Sequence, residues 1–212
     1  MSFDRLAKAY GVLEAISAGG KMQRCRVAWL DAIPAPRHVL LAGEGHGRFL
    51  PECVRRFPDA RIVVVDASAV MLDRARQRLK YLGSAAARVE FLHADVARWE
   101  AGDSGFDLIV TQFFLDCFPA DALAAVVTRL AALATADAHW LLADFQIAPR
   151  GLARWRSRMI VGLLYGFFRV VCGVAADHLV APDAELEKAG FSRRGRVTSE
   201  WGLLKSEWWQ RQ

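Results

Sequence analysis

Two features that follow apolar runs in the sequence could together hold a nucleoside. The segment GEGHG at 43–47 comes directly after the run VLLA and places a glycine at every second position. Glycines remove Cβ atoms where a ligand must approach the main chain closely, although a tight turn without a ligand uses them as well. Asp66 ends the next apolar run about 20 residues later, where a carboxylate can accept hydrogen bonds from a ribose diol or cap a helix with Ser68.

The end of the next predicted strand adds a polar group to the same pattern. Asp95 ends the run RVEFLHA and can accept a hydrogen bond from an exocyclic adenine amine, or else form a turn. A dinucleotide fingerprint GxGxxG would need a glycine at Arg48, so a nicotinamide-dependent oxidoreductase is the less favoured alternative. We therefore predict a nucleoside-binding site, and the spacing of its third glycine makes a pyrophosphate-binding turn the less favoured interpretation.

Alternating helical and strand-like segments position these turns. From about residue 37 they alternate as in an α/β domain with a parallel sheet, and the chain closes with an antiparallel hairpin. The predicted strands are HVLLA (38–42), RIVVVDA (61–67), RVEFLHA (88–94), FDLIVTQF (106–113), HWLLADF (139–145) and the hairpin strands 192–201 and 202–211. The predicted helices cover 3–17, 20–32, 47–57, 69–82, 120–134, 151–174 and 182–191.

Composition bounds the class of protein. The 212 residues are 54% hydrophobic, which suits one globular domain. The four cysteines, Cys25, Cys53, Cys117 and Cys172, form no CxxC pair, so we predict reduced thiols and no metal centre. The first 20 residues lack the apolar region of a secretory signal, and we expect a cytoplasmic protein.

The charge pattern leaves the partner open. A net charge of +5 permits an anionic partner without demanding one. The basic clusters at 150–158 and 193–196 have only Trp155 nearby for base stacking, so we do not expect a nucleic-acid partner. The apolar stretch 159–176 is interrupted by Arg169, which predicts a buried or interfacial helix. Peripheral membrane contact is permitted but not required.

Four segments in order carry a family resemblance. VLLAGEGHG, IVVVDASAVMLDRA, VEFLHAD and FDLIVTQFFLDCF resemble motifs I to IV of the class I S-adenosylmethionine-dependent methyltransferases. AKAY near the N-terminus and the region after the fifth strand resemble the ubiquinone and menaquinone biosynthesis branch. The resemblance implies a Rossmann-like, seven-stranded, mostly parallel sheet in the order 3-2-1-4-5-7-6, with helices on both faces. It further implies an N-terminal helical cap (1–35) and a methyltransferase domain (36–212) with a helical acceptor lid (151–180).

The same resemblance implies S-adenosyl-L-methionine as cofactor, with S-adenosyl-L-homocysteine as product. It assigns cofactor contacts position by position along the chain. The methionine moiety would contact Gly43, Gly45 and Gly47, and the ribose would contact Asp66. The adenine would lie against Ala67, Met71, Asp95 and Val96. The sulfonium would lie above Thr111 and Gln112, and Tyr10 would cover the cofactor.

The sequence departs from the family pattern at two places. An acidic residue that commonly organises the methionine amino group is replaced by Leu41. We therefore expect Glu44 to pair with that ammonium group, the alternative being a solvated turn residue. Where a Gly-Gly turn usually precedes the fifth strand, TADAHW (135–140) stands instead, which puts the geometry of that turn in question.

The acceptor is predicted to be small, aromatic or lipophilic, and methylated on oxygen or carbon. TQFF (111–114) ends strand 4 where enzymes acting on nucleic-acid amines commonly carry an Asn/Asp-Pro-Pro-aromatic tetrad. Asp116 is the first candidate for a general base, and Arg158 or Arg169 in the lid could hold an anionic group or lie in solvent. The remaining catalytic candidates, each with a structural alternative, are His46, Tyr165 and His178. A methyltransferase-like protein that binds without turnover is the non-enzymatic alternative.

Overall fold

The computed structural model describes residues 19–99, 105–172 and 178–212, and only the backbone of 168–172. The predicted first helix and Tyr10 lie outside the described residues. The helices are α1 (Gly19–Val27), α2 (Leu50–Arg56), α3 (Ala69–Leu79), α4 (Ala120–Ala132), α5 (Gly151–Cys172) and α6 (Asp183–Lys188). The strands are β1 (His38–Ala42), β2 (Arg61–Asp66), β3 (Val89–His93), β4 (Phe106–Gln112), β5 (Ala134–Phe145), β6 (Phe191–Ser199) and β7 (Leu204–Arg211).

The seven strands form one sheet in the order β3-β2-β1-β4-β5-β7-β6, which confirms the predicted topology. Strands β1 to β5 pair in parallel, and β7 runs antiparallel to both β5 and β6. The central strands β1, β2 and β4 are buried on both faces, as their continuous apolar runs predict for a covered parallel sheet.

Helices cover both faces of the sheet. Successive side chains of a strand point to opposite faces, so β1 contributes Leu40 to one apolar core and Leu41 to the other. The first core also contains α4 and α6, and the second contains α2 and α3. No helix in the described ranges is long and apolar enough to cross a membrane.

The turn before β5 forms without the usual glycine pair. α4 ends at Ala132 and β5 begins at Ala134, five residues earlier than predicted. The carbonyl of Leu133 between them accepts hydrogen bonds from the backbone N–H groups of Gly105 and Phe106, at 2.8 and 3.0 Å. TADAHW therefore belongs to the strand, and the departure from the family pattern lengthens β5. The register of the β4–β5 pairing shifts there, since Phe106 pairs with Ala134 and Leu108 with His139.

Candidate functional site

A cavity of about 450 Å³ opens at the carboxyl ends of β1 to β4. Its volume lies in the range of small-molecule sites, and its position is where open α/β sheets bind ligands. It is lined by Arg26, Gly43, Glu44, Gly45, His46, Asp66, Ala67, Met71, Asp95, Val96, Ala97, Arg98, Gln112, Phe113, Phe114, Cys117, Phe118, Pro119 and Ala122. Ten of the predicted site residues are among them.

The three glycines after β1 have three different functions. All adopt positive φ angles, a conformation that glycine accepts without strain. A Cβ at Gly45 would meet no atom within 4 Å, so this backbone faces open cavity, whereas a Cβ at Gly43 would overlap the Phe114 ring. A Cβ at Gly47 would lie 2.7 Å from the Cα of Ala75 in α3. Gly47 is outside the cavity lining, and its predicted contact with the ligand gives way to close helix packing.

Glu44 is buried and caps a helix. Its Oε1 accepts hydrogen bonds from the backbone N–H groups of Phe49 and Leu50, at 2.9 and 3.0 Å, at the start of α2. These N–H groups have no partner within the helix, which is why a carboxylate there is stabilising. Burial raises the pKa of Glu44 to about 7, against the opposing effects of these hydrogen bonds and of Arg26. The alternative of a solvated turn residue is therefore wrong.

Asp66 connects the glycine turn to α3 at the cavity wall. Its Oδ2 accepts a hydrogen bond from Gly45 N–H and its Oδ1 one from Ser68 N–H, both at 2.9 Å. Burial raises the pKa of the carboxyl above its usual value. The helix cap itself is Ser68, whose hydroxyl accepts from Met71 N–H at 3.3 Å. Asp66 is thus held rigidly by backbone groups, with its carboxylate facing the cavity.

The end of β3 supplies a second, more exposed carboxylate. Asp95 accepts a hydrogen bond from Ala97 N–H at 3.0 Å, so the turn-forming alternative applies even though the residue also lines the cavity. The buried side chains of Val96 and Met71 line the cavity as well. An apolar slot with a carboxylate at its rim is suited to a flat heterocycle.

The end of β4 divides its two predicted residues between opposite faces. Thr111 is fully buried, and its hydroxyl accepts a hydrogen bond from Trp140 Nε1 at 2.9 Å, so it lies in the core rather than in the cavity lining. The next residue, Gln112, does line the cavity because strand side chains alternate. Its buried Oε1 has no hydrogen-bond partner among the described residues, while its Nε2 donates to the Arg26 carbonyl at 3.4 Å.

Aromatic rings that the sequence analysis did not select form the far wall. Phe113, Phe114 and Phe118 line the cavity, and the buried Arg26 guanidinium lies 4.9 Å from the Phe113 ring centroid. Phe113 has a φ of +55°, an uncommon conformation for a residue with a side chain. The aromatic pair was visible in TQFF, but no local signal identified Arg26, which approaches from α1.

The four catalytic candidates lie in three different places. His46 lines the cavity and is only 8% exposed, so the alternative of an exposed turn histidine is wrong. Asp116 and Tyr165 lie together outside that lining, with the Tyr165 hydroxyl donating to the Asp116 carbonyl at 2.6 Å. His178 is exposed and lies outside the lining.

Behind this cavity lies a second one of about 530 Å³, between the end of β5 and the β6–β7 hairpin. Phe145 in its wall packs against Phe113 of the first cavity, with ring centroids 5.2 Å apart. Asp144 lines it, is 1% exposed, and neither carboxylate oxygen has a hydrogen-bond partner in the described part of the chain. Burial and the neighbouring Asp116 raise the pKa of Asp144 well above its usual value. Burial also raises the pKa of Asp116, to about 6.

Of the two arginines named in the predicted lid, Arg158 lines neither cavity. Arg158 is exposed on α5, and the Arg169 side chain lies outside the described residues. Within the described ranges, no group of three or more His, Cys, Asp or Glu is placed to hold a metal ion.

The sheet order and the glycine-turn cavity define the fold of the class I S-adenosylmethionine-dependent methyltransferases. Residues 39–137 match the methyltransferase domain family Methyltransf_25. The matched residues are a little under half of the chain and contain the four motif segments, so the match agrees with the resemblance found in the sequence.

Individual relatives agree with this assignment. The chain is 38% identical over 66 residues to the trans-aconitate 2-methyltransferase of Acidovorax sp. (strain JS42), which covers 31% of this chain and 23% of the relative. It is 30% identical over 114 residues to the ubiquinone/menaquinone biosynthesis C-methyltransferase UbiE of Paracoccus denitrificans (strain Pd 1222), covering 52% and 45% respectively. The matched regions thus span less than half the length of either relative.

A solved structure extends the likeness to nearly the whole chain. Magnesium protoporphyrin IX methyltransferase from Synechocystis PCC 6803, crystallised with S-adenosylhomocysteine, superposes with a TM-score of 0.69 at 23% identity. The superposition covers 99% of this chain and 94% of that one. At this identity the likeness establishes the fold.

Proposed function

We propose that the protein is an S-adenosylmethionine-dependent methyltransferase acting on an oxygen or carbon of a small aromatic or lipophilic acceptor. The observation that supports this most strongly is the first cavity. It combines an open glycine backbone at Gly45, a rigid carboxylate at Asp66 and an unsatisfied oxygen at Gln112, all in or beside a region that matches a methyltransferase family.

The donor set of the cavity suits this cofactor. Asp66 would accept the ribose hydroxyls, since each carboxylate oxygen that now binds one N–H has a further lone pair. Val96 and Met71 would contact the adenine, with Asp95 at its amine. The faces of the Phe113 and Phe114 rings carry negative charge and would favour a cationic centre. When bound, the cofactor supplies an electrophilic methyl group on a sulfonium.

Glu44 has only one carboxylate oxygen left for the cofactor, which the sequence did not indicate. One oxygen is committed to the α2 N-terminus, so pairing with the cofactor ammonium would use the other oxygen. We retain this pairing as a proposal because Glu44 lines the cavity beside Gly45. A carboxylate whose pKa is about 7 gains most from a cation, since the cation favours the ionised form.

The acceptor would enter from the side of the second cavity. Asp144 lines that cavity, and Asp116 is its electrostatic neighbour. Burial raises the pKa of both carboxyl groups, that of Asp116 to about 6, which favours proton removal near neutrality. We propose that Asp144 accepts a hydrogen bond from an acceptor hydroxyl, with Asp116 as its neighbour and Tyr165 holding the Asp116 backbone in place. Phe145 and Leu179 in the cavity wall suit an apolar acceptor body.

One observation favours a second candidate, a domain that binds the cofactor without turnover. Leu41 is fully buried in the core, and Glu44 is engaged as a helix cap. If Glu44 cannot also hold the ammonium, no acid in the glycine turn replaces the usual one.

Calorimetry and methyl transfer together test the proposal. We expect S-adenosylmethionine and S-adenosylhomocysteine to bind with dissociation constants at least 100-fold below that of NAD. With tritium-labelled S-adenosylmethionine, we expect label to reach at least one acceptor in a panel of catechols, phenols, hydroquinones and aromatic carboxylic acids. Binding without transfer to any acceptor would favour the second candidate, and absence of S-adenosylmethionine binding would refute both.

A further inference from the structure

Helix α5 presents an apolar stripe to solvent. Leu152, Trp155, Met159 and Leu163 are 81%, 67%, 45% and 68% exposed. Their spacing of three, four and four residues places them on one face of the helix, over about 17 Å. A surface helix of a globular protein normally turns such a face toward the core. The reversed orientation therefore calls for a partner.

The opposite face of α5 fixes this orientation. Ser157 is 1% exposed, and its hydroxyl accepts a hydrogen bond from Ala148 N–H at 3.0 Å. Val161, one turn further along, is 5% exposed and belongs to a buried cluster with Leu203 and Leu204. These contacts attach α5 to the domain by the face that carries Ser157 and Val161. The exposed apolar stripe therefore cannot turn inward without breaking them.

Arginines border the stripe. Arg158 is exposed and lies along one side of it in the helical projection. Arg154 is exposed further around the helix and donates to the Pro149 carbonyl at 3.5 Å, and Arg150 precedes the helix. On the other side, Arg156 donates to the Glu200 carbonyl at 3.1 Å and lies 5.8 Å from the ring centroid of Trp201. Trp201 is 72% exposed and extends the apolar surface beyond the helix. The segment 150–172 contains no aspartate or glutamate.

We propose that this face, defined by Leu152, Trp155, Met159, Leu163 and Trp201 with the bordering arginines, binds the surface of an anionic lipid bilayer. Tryptophan and aliphatic side chains insert at the boundary between headgroups and acyl chains, and arginines beside them reach the anionic headgroups. The positive charge beside the stripe favours a lipid surface as the partner. An anionic bilayer offers negative headgroups to the arginines and an apolar layer beneath them to the stripe. The proposal is independent of methyl transfer.

Vesicle binding tests it with the full chain. Large unilamellar vesicles of phosphatidylcholine with 30% phosphatidylglycerol, and of phosphatidylcholine alone, are floated with the protein in 0.1 M NaCl. We expect the partition coefficient to be at least tenfold higher on the anionic vesicles, and to fall at least fivefold in 0.5 M NaCl because salt screens the headgroup attraction.

Two double variants separate the apolar and charged contributions. Trp155→Ser with Leu163→Ser should lower the partition coefficient on anionic vesicles at least tenfold. Arg154→Glu with Arg158→Glu should do the same while leaving binding to neutral vesicles unchanged. The matched control combines Tyr81→Ser, where the side chain is 62% exposed, with Arg37→Glu at another exposed site, and should stay within twofold of wild type.

The outcomes decide the proposal whatever the enzymatic activity. All variants must retain the wild-type circular dichroism spectrum and S-adenosylhomocysteine affinity. Failure of the wild type to bind anionic vesicles, or binding by the double variants at the wild-type level, would overturn the proposal. A wild-type dimer in sedimentation that Trp155→Ser with Leu163→Ser dissociates, without vesicle binding, would assign the face to a second copy instead.

Discussion

The two halves of the carboxyl edge of the sheet treat buried carboxylates in opposite ways. At the ends of β1 and β2, Glu44 and Asp66 each accept two backbone N–H hydrogen bonds. At the end of β5, Asp144 is equally buried but has no hydrogen-bond partner in the described residues. The first half is a rigid cradle whose two carboxylates are already bound by backbone N–H groups. The second keeps an unsatisfied carboxylate, as expected where an acceptor must still supply a donor.

The strongest test of the rigid half compares two glycines that are two residues apart. Gly47→Ala should lower the free energy of unfolding by about 3 kcal/mol, because the new methyl group meets the α3 backbone and the left-handed conformation is strained. Gly45→Ala adds a methyl group in open cavity and should cost only about 1 kcal/mol, from strain alone. Urea unfolding followed by circular dichroism measures both. Equal losses would contradict the assignment of Gly47 to packing.

The pH dependence of stability isolates Glu44. Its folded pKa is about 7, above the usual 4.5 of a glutamate, so the folded state binds the proton more tightly and stability declines as pH rises through this interval. Between pH 5 and 8 we expect the wild type to lose about 2 kcal/mol more than Glu44→Gln, which cannot titrate. Unfolding at pH 5, 6, 7 and 8 gives the difference. Parallel pH profiles for the two proteins would show that Glu44 does not titrate in this range.

The same substitution should have opposite signs in the two halves. At a pH high enough to ionise the Asp144 carboxyl, Asp144→Asn should raise the free energy of unfolding by about 1.5 kcal/mol, because it removes a buried negative charge that lies near Asp116 and Glu207. Asp66→Asn should lower it, because one of two backbone N–H groups loses its charged acceptor. Destabilisation by both substitutions would abolish the contrast between the halves. If Asp144 contacts the acceptor, its variant should also raise KM for the acceptor while the cofactor affinity stays constant.

The smallest expected effect concerns Tyr165. Tyr165→Phe removes the hydroxyl that donates to the Asp116 carbonyl, and we expect a loss of about 1 kcal/mol in unfolding free energy. Tyr81→Phe is the control, since that hydroxyl accepts from Arg55 at an exposed site and should matter less than about 0.5 kcal/mol. Equal effects would place Tyr165 outside the Asp116 contact.

The sequence predicted the sheet because its signals are local. Continuous apolar runs mark strands covered on both faces, and the carboxyl ends of parallel strands necessarily share one edge. Asp66, Asp95 and Gln112 therefore arrive at one cavity from residues spread along the chain. The periodicity of 151–174 likewise predicted a helix, although it could not indicate that much of the apolar side faces outward.

The errors arise where a position depends on tertiary packing. Gly47 and Gly45 look identical in sequence, and only the approach of Ala75 distinguishes them. Neighbouring residues of a strand point to opposite faces of the sheet. Only the fold shows that Thr111 points into the core and Gln112 into the cavity. Arg26 reaches the cavity from α1, and its contact residue Gln112 is 86 residues away along the sequence. The raised pKa values of Glu44 and Asp144 result from burial by elements that come together only in the fold.

The affinity for S-adenosylhomocysteine in two matched variants tests the central claim most directly. Asp66 and Asp107 each accept two backbone N–H hydrogen bonds, but Asp66 lies at the cavity and Asp107 at the opposite end of the sheet, where it binds Arg37 and His38 N–H. Calorimetry should show that Asp66→Asn raises the dissociation constant about 100-fold, through loss of charge-assisted hydrogen bonds, while Asp107→Asn leaves it within about twofold. Equal affinities in the two variants, or no binding by the wild type, would contradict the cofactor site.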